Sequence, residues 1–190
     1  IHGLWEQISL VVPDHIALHD PAHDGGVKLT YSEAAHRITV LAGGLQALGL
    51  SKDDKIGLFS ENSYRWALLD GAALKAGAID VVRGALGPVA ELAYILKHSE
   101  SKACIVQDSK LLSALVQESG PSLELSSPDT AFVVVMYPNG KSGVAIKEEC
   151  GMLDSSVRVV TMEELSALGV SASSEPLYEF VDVREDDVAT

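Results

Sequence analysis

The feature that most constrains the fold is an alternation of short apolar runs with helical segments along most of the chain. A new run begins roughly every 20 to 25 residues, which leaves room for one helix between successive strands. This spacing is typical of βαβ units, in which helices flank a mostly parallel sheet. The sequence therefore predicts an α/β fold, with strands at KIGLFS, IDVV, ACIVQ, AFVVVMY and VRVVT.

The residues before the first of these runs predict a helix, two strands and a longer helix. GLWEQISLVV predicts a short amphipathic helix that Pro13 stops, and IALHD and KLTY predict strands. Thr30 stands three residues before Glu33, which is the spacing of a capping box. The helix that follows should end near Gly49, with one apolar face made by Ile38, Leu41, Leu45 and Leu48.

The apolar runs and the segments between them also predict burial and further helix ends. KIGLFS and IDVV read as buried strands, and SYRWALLDGAALKAGA is apolar nearly all round, which predicts a deeply packed helix. Gly87 and Pro88 predict the N-cap and first position of a helix that runs through His98. A further helix is predicted at DSKLLSALVQES.

A Ser- and Pro-rich break predicts the domain organisation. It separates a first α/β block at 1–118 from a second block at 131–190, with a linker at 119–130. The second block includes the helix MEELSAL, with a capping box from Thr161 to Glu164. Between its two strands, PNGKSGVAIKEECGMLDSS is predicted to be an exposed excursion rather than core.

Composition excludes several classes of function. The formal net charge is −13, from 27 acidic and 14 basic residues, so a nucleic-acid partner is not expected. Cys104 and Cys150 have neither disulfide-framework nor zinc-site spacing, which favours a reducing compartment. No apolar run reaches the roughly 18 residues of a membrane span. Nothing at Ile1 resembles a signal peptide, although a targeting segment upstream would not be visible.

Two glycine-containing segments imitate nucleotide-binding motifs but lack their spacing. PNGKSG ends like a phosphate-binding loop, yet Val135 stands where the first glycine is needed, so an exposed turn on Asn139-Gly140 is predicted. GGLQALG falls inside a predicted helix rather than at a strand-to-helix turn. Its glycines are predicted to permit close packing.

The remaining polar candidates do not form a recognisable catalytic or metal site. His15, His19 and His23 recur every four residues, but a strand there would hold them roughly 13 Å apart, too far to share an ion. Cys104 falls in a predicted buried strand and is expected to be core. The acidic residues in the segment from Arg184 to Asp187 lack calcium-loop spacing, and this segment is predicted to be a solvated turn. We assign no catalytic, cofactor-binding or metal-binding residue to the chain.

The order of segments resembles the opening of the acyl-activating, adenylate-forming (AMP-binding) enzymes across essentially the whole chain. The segments are PDHIALHD, LTYSEAAHRITVLAGGLQALGL, KIGLFSENSYRWALLDGAALKAGAIDVV and PVAELAYILKHSESKACIVQD. Within that superfamily, GAIDVVRGA, ILKHSES and the region around FVVVMY are most similar to plastid and cyanobacterial long-chain fatty acid ligases that load acyl carrier protein. The resemblance implies the incomplete N-terminal subdomain of that fold.

The resemblance also implies an activity for the intact protein. A fatty acid and ATP, with Mg²⁺, would give an acyl-adenylate, and the thiol of acyl carrier protein or coenzyme A would then take the acyl group. The family's phosphate loop follows a strand entered from a segment like Asp186 to Thr190, so the second block would be truncated before that loop. Residues 1–190 alone are therefore expected to bind neither ATP nor Mg²⁺ and to be inactive.

Several alternatives stay open. Trp66 and Leu69 could flank a substrate tunnel in the intact protein, although simple core is favoured. The chain could instead be a naturally truncated, non-catalytic binding or dimerisation domain. Peripheral membrane association, a homodimer and a plastid or cytoplasmic location are also open. A strand beginning at Val188 would leave the sheet with an unpaired edge or gap.

Overall fold

The computed structural model describes residues 3–127 and 130–173. In chain order, the helices are α1 Leu4–Val11, α2 Tyr31–Ala47, α3 Tyr64–Lys75, α4 Val89–Ser99, α5 Ser109–Ser119, α6 Gly143–Cys150 and α7 Met162–Ser173. The strands are β1 Ile16–Asp20, β2 Val27–Thr30, β3 Lys55–Phe59, β4 Ile79–Arg83, β5 Ala103–Asp108, β6 Phe132–Tyr137 and β7 Arg158–Thr161. All of the predicted helices, and the strands predicted within the described residues, are therefore present.

Five of the strands form one parallel sheet, which confirms the predicted α/β fold. The spatial order is β4-β3-β5-β6-β7, and each neighbouring pair is parallel. The chain starts near one side at β3, adds β4, and then crosses back to build outward from β5. This is the order of a doubly wound sheet, whose carboxyl edge is the usual place for a binding site. β1 and β2 form a separate antiparallel hairpin.

The sheet has a hydrophobic core on each face. One core lies under α2, α3 and α7 and includes Leu41, Leu69 and Leu165, with Trp5 of α1 packed against it. The other lies under α4, α5 and α6 and includes Leu96, Leu112 and Ile146. The four predicted face residues of α2 are all buried, as are Ile56 to Phe59 of β3, so these burial predictions are confirmed.

Two predicted helix starts follow capping boxes. Thr30 accepts a hydrogen bond from the Glu33 backbone N–H, and the Glu33 carboxylate accepts one from the Thr30 N–H. Thr161 and Glu164 exchange the same pair of bonds at the start of α7. Both predicted capping boxes are therefore confirmed.

Glycines allow α2 and α7 to cross at very short range. A methyl group added at Gly169 would lie 1.8 Å from the carbonyl oxygen of Val40, and one added at Gly44 would lie 2.3 Å from the carbonyl oxygen of Leu165. Neither contact is sterically tolerable. The prediction that the glycines of GGLQALG permit close packing is confirmed at Gly44.

The strand predicted at IDVV is present but is not buried as predicted. β4 lies at the edge of the sheet formed by the described residues, and Val82 is 43% exposed. The prediction was wrong because an apolar run alone does not distinguish a central strand from an edge strand. The helix predicted from Gly87 starts one residue later, with Pro88 as the N-cap of α4.

The excursion between β6 and β7 was also predicted incorrectly. It contains α6, in which Gly143 and Ile146 are buried, and beyond it Leu153 and Val157 are also buried. The Asn139-Gly140 turn before α6 is exposed, as predicted, with φ values of 51° and 78°. The excursion is thus the helical crossover that a parallel β6–β7 pair requires.

Other predictions concern the linker and the end of the chain. β5 and β6 pair in one sheet across the predicted linker at 119–130, and Leu123 and Leu125 within it are buried. The division into two blocks stays a prediction.

The carboxylates from Arg184 to Asp187 and the strand predicted at Val188 lie outside the described residues. Among the helices that are described, none is both long and apolar enough to cross a bilayer.

Candidate functional site

The crevice between the carboxyl ends of β3 and β5 is the topological switch point of the sheet. Its polar groups bond to one another. The side-chain oxygen of Gln107 accepts a hydrogen bond from the Glu61 N–H at 3.0 Å, and the Ser60 hydroxyl donates to the Glu61 carbonyl at 2.9 Å. Glu61 in turn accepts from the Leu86 N–H at 3.1 Å. These contacts hold the loops together across the crevice.

A denser polar network lies farther along the same edge, around Arg65 of α3. Its Nε donates to Asp24 at 3.1 Å, and its Nη1 donates to Glu163 at 2.6 Å and to the Met136 carbonyl at 2.5 Å. The guanidinium carbon lies 4.9 Å from the ring centre of Tyr137. One side chain therefore ties the β1–β2 hairpin, the end of β6 and the start of α7 together.

Tyr64 and Asp20 connect the hairpin to the start of α3. The Tyr64 hydroxyl donates to Asp24 at 2.6 Å, and the Tyr64 N–H donates to Asp20 at 3.0 Å. The bond from the Tyr64 N–H is the main reason that the pKa of Asp20 falls to about 2. Burial, followed by the bond to Asp24, raises the pKa of Tyr64 to about 12. Asp20 and Asp24 are therefore ionised and Tyr64 is neutral at physiological pH.

Hydrogen bonds hold Arg65 and Asp24 in their charged forms. Burial opposes the charge of Arg65, but hydrogen bonds to Glu163 and Asp24 outweigh it and raise the pKa of the guanidinium. Hydrogen bonding from Tyr64, then from Arg65, lowers the pKa of Asp24. The arrangement is that of a structural clamp, in which Arg65 and Tyr64 donate to carboxylates and to a backbone carbonyl, rather than of a poised acid or base.

The PNGKSG loop borders this network across a cavity of about 480 Å³. Lys141 pairs with Glu149 at 2.6 Å, and the Ser142 hydroxyl caps α6 by accepting from the Ala145 N–H at 3.2 Å. The Gly143 N–H donates to the carboxylate of Glu164 at 3.1 Å. The groups that a phosphate loop would offer to a ligand are thus engaged within the protein.

Glu164 serves two helix starts with one carboxylate. It accepts hydrogen bonds from the Gly143 N–H at the start of α6 and from the Thr161 N–H at the start of α7. We predict that Glu164→Ala lowers the free energy of unfolding by about 1 to 2 kcal/mol, the usual cost of losing a helix cap. Urea denaturation measures this loss. Glu148→Ala, at an exposed position of α6, should change stability by less than about 0.5 kcal/mol, and an equal loss in both variants would contradict the assignment.

The three histidines that the sequence places at regular spacing lie before, within and after β1, and His15 is exposed in the bend before that strand. His19 lies on β1 and is exposed, whereas His23 lies in the turn after β1. His23 pairs with Asp20 at 2.8 Å and stacks on Tyr137 with ring centres 5.3 Å apart. Within residues 3–127 and 130–173, no group of three His, Cys, Asp or Glu side chains is placed to hold a metal ion.

Three other side chains that the sequence analysis considered belong to the core or its margin. Cys104 is fully buried, and burial raises the pKa of its thiol, so its predicted place in the core is confirmed. Leu69 is fully buried in the core, and Trp66 packs against that core while partly exposed. A role for Trp66 and Leu69 beside a substrate tunnel stays a prediction.

Sequence reasoning missed the Arg65 network. The segment SYRWALLDGAALKAGA was interpreted by its apolar character alone, although it carries Arg65 near its start. A cation in a helix predicted to be deeply packed needs carboxylates nearby, because an unpaired buried charge is costly. That requirement was the available signal, but it does not identify Asp24 and Glu163 as the partners.

Comparisons with known proteins connect this geometry to a family. The model of a family described as AMP-binding enzyme matches residues 5–174. The chain is 39% identical over its whole length to the long-chain-fatty-acid–[acyl-carrier-protein] ligase AEE15, chloroplastic, of Arabidopsis thaliana. It is 28% identical over its whole length to the probable acyl-activating enzyme 16, chloroplastic, of the same plant. It spans 25% and 26% of the lengths of these two relatives.

Solved structures share the fold. The N-terminal domain of FACL13 from Mycobacterium tuberculosis matches 98% of the chain with a TM-score of 0.69 at 22% identity, and the match covers 38% of that chain. A fatty acyl CoA synthetase from the same organism matches 66% of the chain with a TM-score of 0.59 at 26% identity, over 25% of its own length.

Proposed function

Because this chain belongs to the AMP-binding enzyme family, we propose that it is the N-terminal part of an ATP-dependent ligase that activates a fatty acid. The observation that carries the proposal is the match over the entire chain to a fatty acid ligase at 39% identity. The match to the N-terminal domain of FACL13 in a solved structure supports the placement of this chain in the N-terminal part of the fold.

The proposed reaction has two steps. A carboxylate oxygen of the fatty acid attacks the α-phosphorus of ATP, and pyrophosphate leaves. The thiol then loses its proton to solvent, its sulfur attacks the acyl carbon, and AMP leaves with the electron pair of the broken C–O bond. Both steps need donors placed where negative charge develops.

The described residues do not fit a nucleotide or Mg²⁺ site. The one loop that resembles a phosphate loop has its lysine paired to Glu149 and the first N–H of its helix bonded to Glu164. At the switch point, the polar groups of Ser60, Glu61 and Gln107 are hydrogen-bonded to one another. We therefore derive no catalytic step from these residues and assign them the role of a scaffold.

We favour acyl carrier protein over coenzyme A as the thiol acceptor. The acyl-carrier-protein ligase aligns with the whole chain, whereas the medium-chain acyl-CoA ligase ACSF2 of Bos taurus aligns with 50% of it at 35% identity. The extent of the alignment supports this preference.

Pyrophosphate exchange tests the proposal directly. The intact protein should show exchange of labelled pyrophosphate into ATP that depends on added fatty acid, and it should transfer the acyl group to acyl carrier protein faster than to coenzyme A. Residues 1–190 expressed alone should show no exchange above background. Exchange by that chain alone would overturn the scaffold role, and failure of the intact protein to activate any fatty acid would overturn the ligase.

A further inference from the structure

An apolar groove runs along β7, the strand at one edge of the sheet that the structure describes. Its floor is β7, its walls are α6 and α7, and its volume is about 960 Å³. Val159 and Val160 lie on the floor, and Val144 of α6 and Leu168 of α7 lie on the walls. Val144 is 66% exposed. The groove therefore presents apolar side chains from three elements on one surface, which is typical of a site that another segment covers.

Both hydrophobic cores of the sheet end at this groove. Val159 belongs to the core under α4, α5 and α6, whereas Val160 belongs to the core under α2, α3 and α7. Within the described residues, β7 pairs with β6 alone, so its other edge faces the groove. A segment that covers the groove closes both cores at once, so it removes more apolar surface from water than the burial of a single exposed side chain does.

Two cations beside the groove indicate the charge of the segment that fits it. Lys147 donates to two backbone carbonyls in the loop before β7, and Arg158 is exposed on β7. In the part of the chain that the structure describes, neither cation pairs with a carboxylate. Glu164 also borders the groove, but it already accepts hydrogen bonds at two helix starts. An occupant with acidic residues among apolar ones is therefore complementary to the groove.

The residues that follow α7 have this composition. Positions 177–183 read LYEFVDV, in which five apolar or aromatic residues accompany Glu179 and Asp182. The residues on either side are polar, since SEP precedes this run and REDD follows it. The run lies outside the described residues.

The run is also within reach of the groove. Ser171, in the last turn of α7, lines the groove, and the described part of α7 ends at Ser173. The four residue steps from Ser173 to Leu177 span at most about 14 Å when extended. The wall of the groove from Glu164 to Ser171 is about 10 Å long, because each helical residue rises about 1.5 Å. The chain after α7 therefore starts beside the groove and is long enough to lie along it.

We propose that residues 177–183 of this chain cover the groove between α6 and α7. Their apolar side chains pack on those of α6, β7 and α7, and their acidic side chains lie beside Lys147 and Arg158. The cover closes the ends of both cores at the β7 edge. Because it is a contact of the chain with itself, it does not depend on the proposed ligase activity.

Thiol labelling of the intact protein tests the proposal. Val144→Cys reports on access to the groove in a background where Cys150 is replaced by serine, and Cys104 is fully buried. Alanine at three apolar positions of the run should raise the rate of maleimide labelling at Val144→Cys about tenfold, because the thiol gains access to solvent. The three positions are Leu177, Phe180 and Val181.

Two controls distinguish a cover from a general effect on stability. Val170→Cys lies on α7 outside the groove and is 59% exposed, so its labelling rate should not change. Glu185→Ala, just after the run, should leave the rate at Val144→Cys as it is in the unaltered run.

Three results would overturn the proposal. The first is an unchanged rate at Val144→Cys when the run is altered. The second is an equal increase at Val144→Cys and Val170→Cys, which would show that the run stabilises the domain without covering the groove. The third is a rate at Val144→Cys that falls as the protein concentration rises, which would identify a second copy of the protein as the cover.

Discussion

Gly169→Ala should lower the free energy of unfolding by about 3 kcal/mol, at the upper end of the cost of overpacking a core. The new methyl group would lie 1.8 Å from the Val40 carbonyl oxygen and 2.8 Å from its carbonyl carbon. These are backbone atoms of α2, so no side-chain rotation can relieve the contact. α2 and α7 would have to move apart, and the packing around Leu165 would be lost. Urea denaturation of the purified protein measures the change.

Helix propensity works against this result, which makes the test stringent. Alanine favours a helix over glycine by about 1 kcal/mol, so without a clash the same substitution would stabilise α7. Gly44→Ala should also destabilise, because its methyl group would meet the Leu165 carbonyl oxygen at 2.3 Å. Once α2 and α7 have separated, the second substitution should cost less than it does alone. Gly87→Ala, whose methyl group would meet nothing nearer than 3.5 Å, is the control, and a stable Gly169→Ala protein would contradict the close crossing.

Periodicity and end signals were enough to predict the class of the fold and most of its elements. The alternating segments became the strands β3 to β7 and the helices α3, α4 and α5, because strands and helices bury their apolar residues with different periods. The capping boxes at Thr30 and Thr161 predicted the starts of α2 and α7 to the residue, since each places donors and acceptors at fixed spacing.

Other features depend on partners that a single sequence does not name. IDVV was predicted to be buried, but strand order decides which run lies at an edge, and β4 does. The short helix α6 was missed because its buried residues are few and its polar residues dominate the segment. Asp80 was the signal in the sequence against a fully apolar setting for β4, since a carboxyl group in a buried strand must be paired or protonated.

The polar edge of the sheet was the least predictable part. Its members come from the hairpin, α3, β6 and α7, which are far apart in the chain and meet only after the sheet forms. The sequence did indicate that PNGKSG lacks the first glycine of a phosphate loop. The structure adds a physical reason, because Glu164 already occupies the N-terminus of α6.

Arg65→Met should lower the free energy of unfolding by about 2 kcal/mol. Methionine keeps most of the side-chain length but leaves Asp24, Glu163 and the Met136 carbonyl without their shared donor. Breaking a fully buried pair costs about 3 to 5 kcal/mol. Asp24 and Glu163 are 38% and 56% exposed, so solvent compensates for part of the loss and the smaller value is expected.

Arg65→Met should also change how the free energy of unfolding depends on pH. Hydrogen bonds from Tyr64 and Arg65 lower the pKa of Asp24, so its stabilising effect is present above the ordinary pKa of aspartate and is lost as pH falls through the lowered value. Without Arg65 that loss should shrink, and urea midpoints measured between neutral and acidic pH should show a shallower fall.

Arg65→Lys should restore only part of the stability, because one ammonium group cannot serve acceptors that diverge in three directions. Arg37→Met, at an exposed position of α2, should change neither quantity, and equal effects at Arg37 and Arg65 would show that the network does not hold the carboxyl edge together.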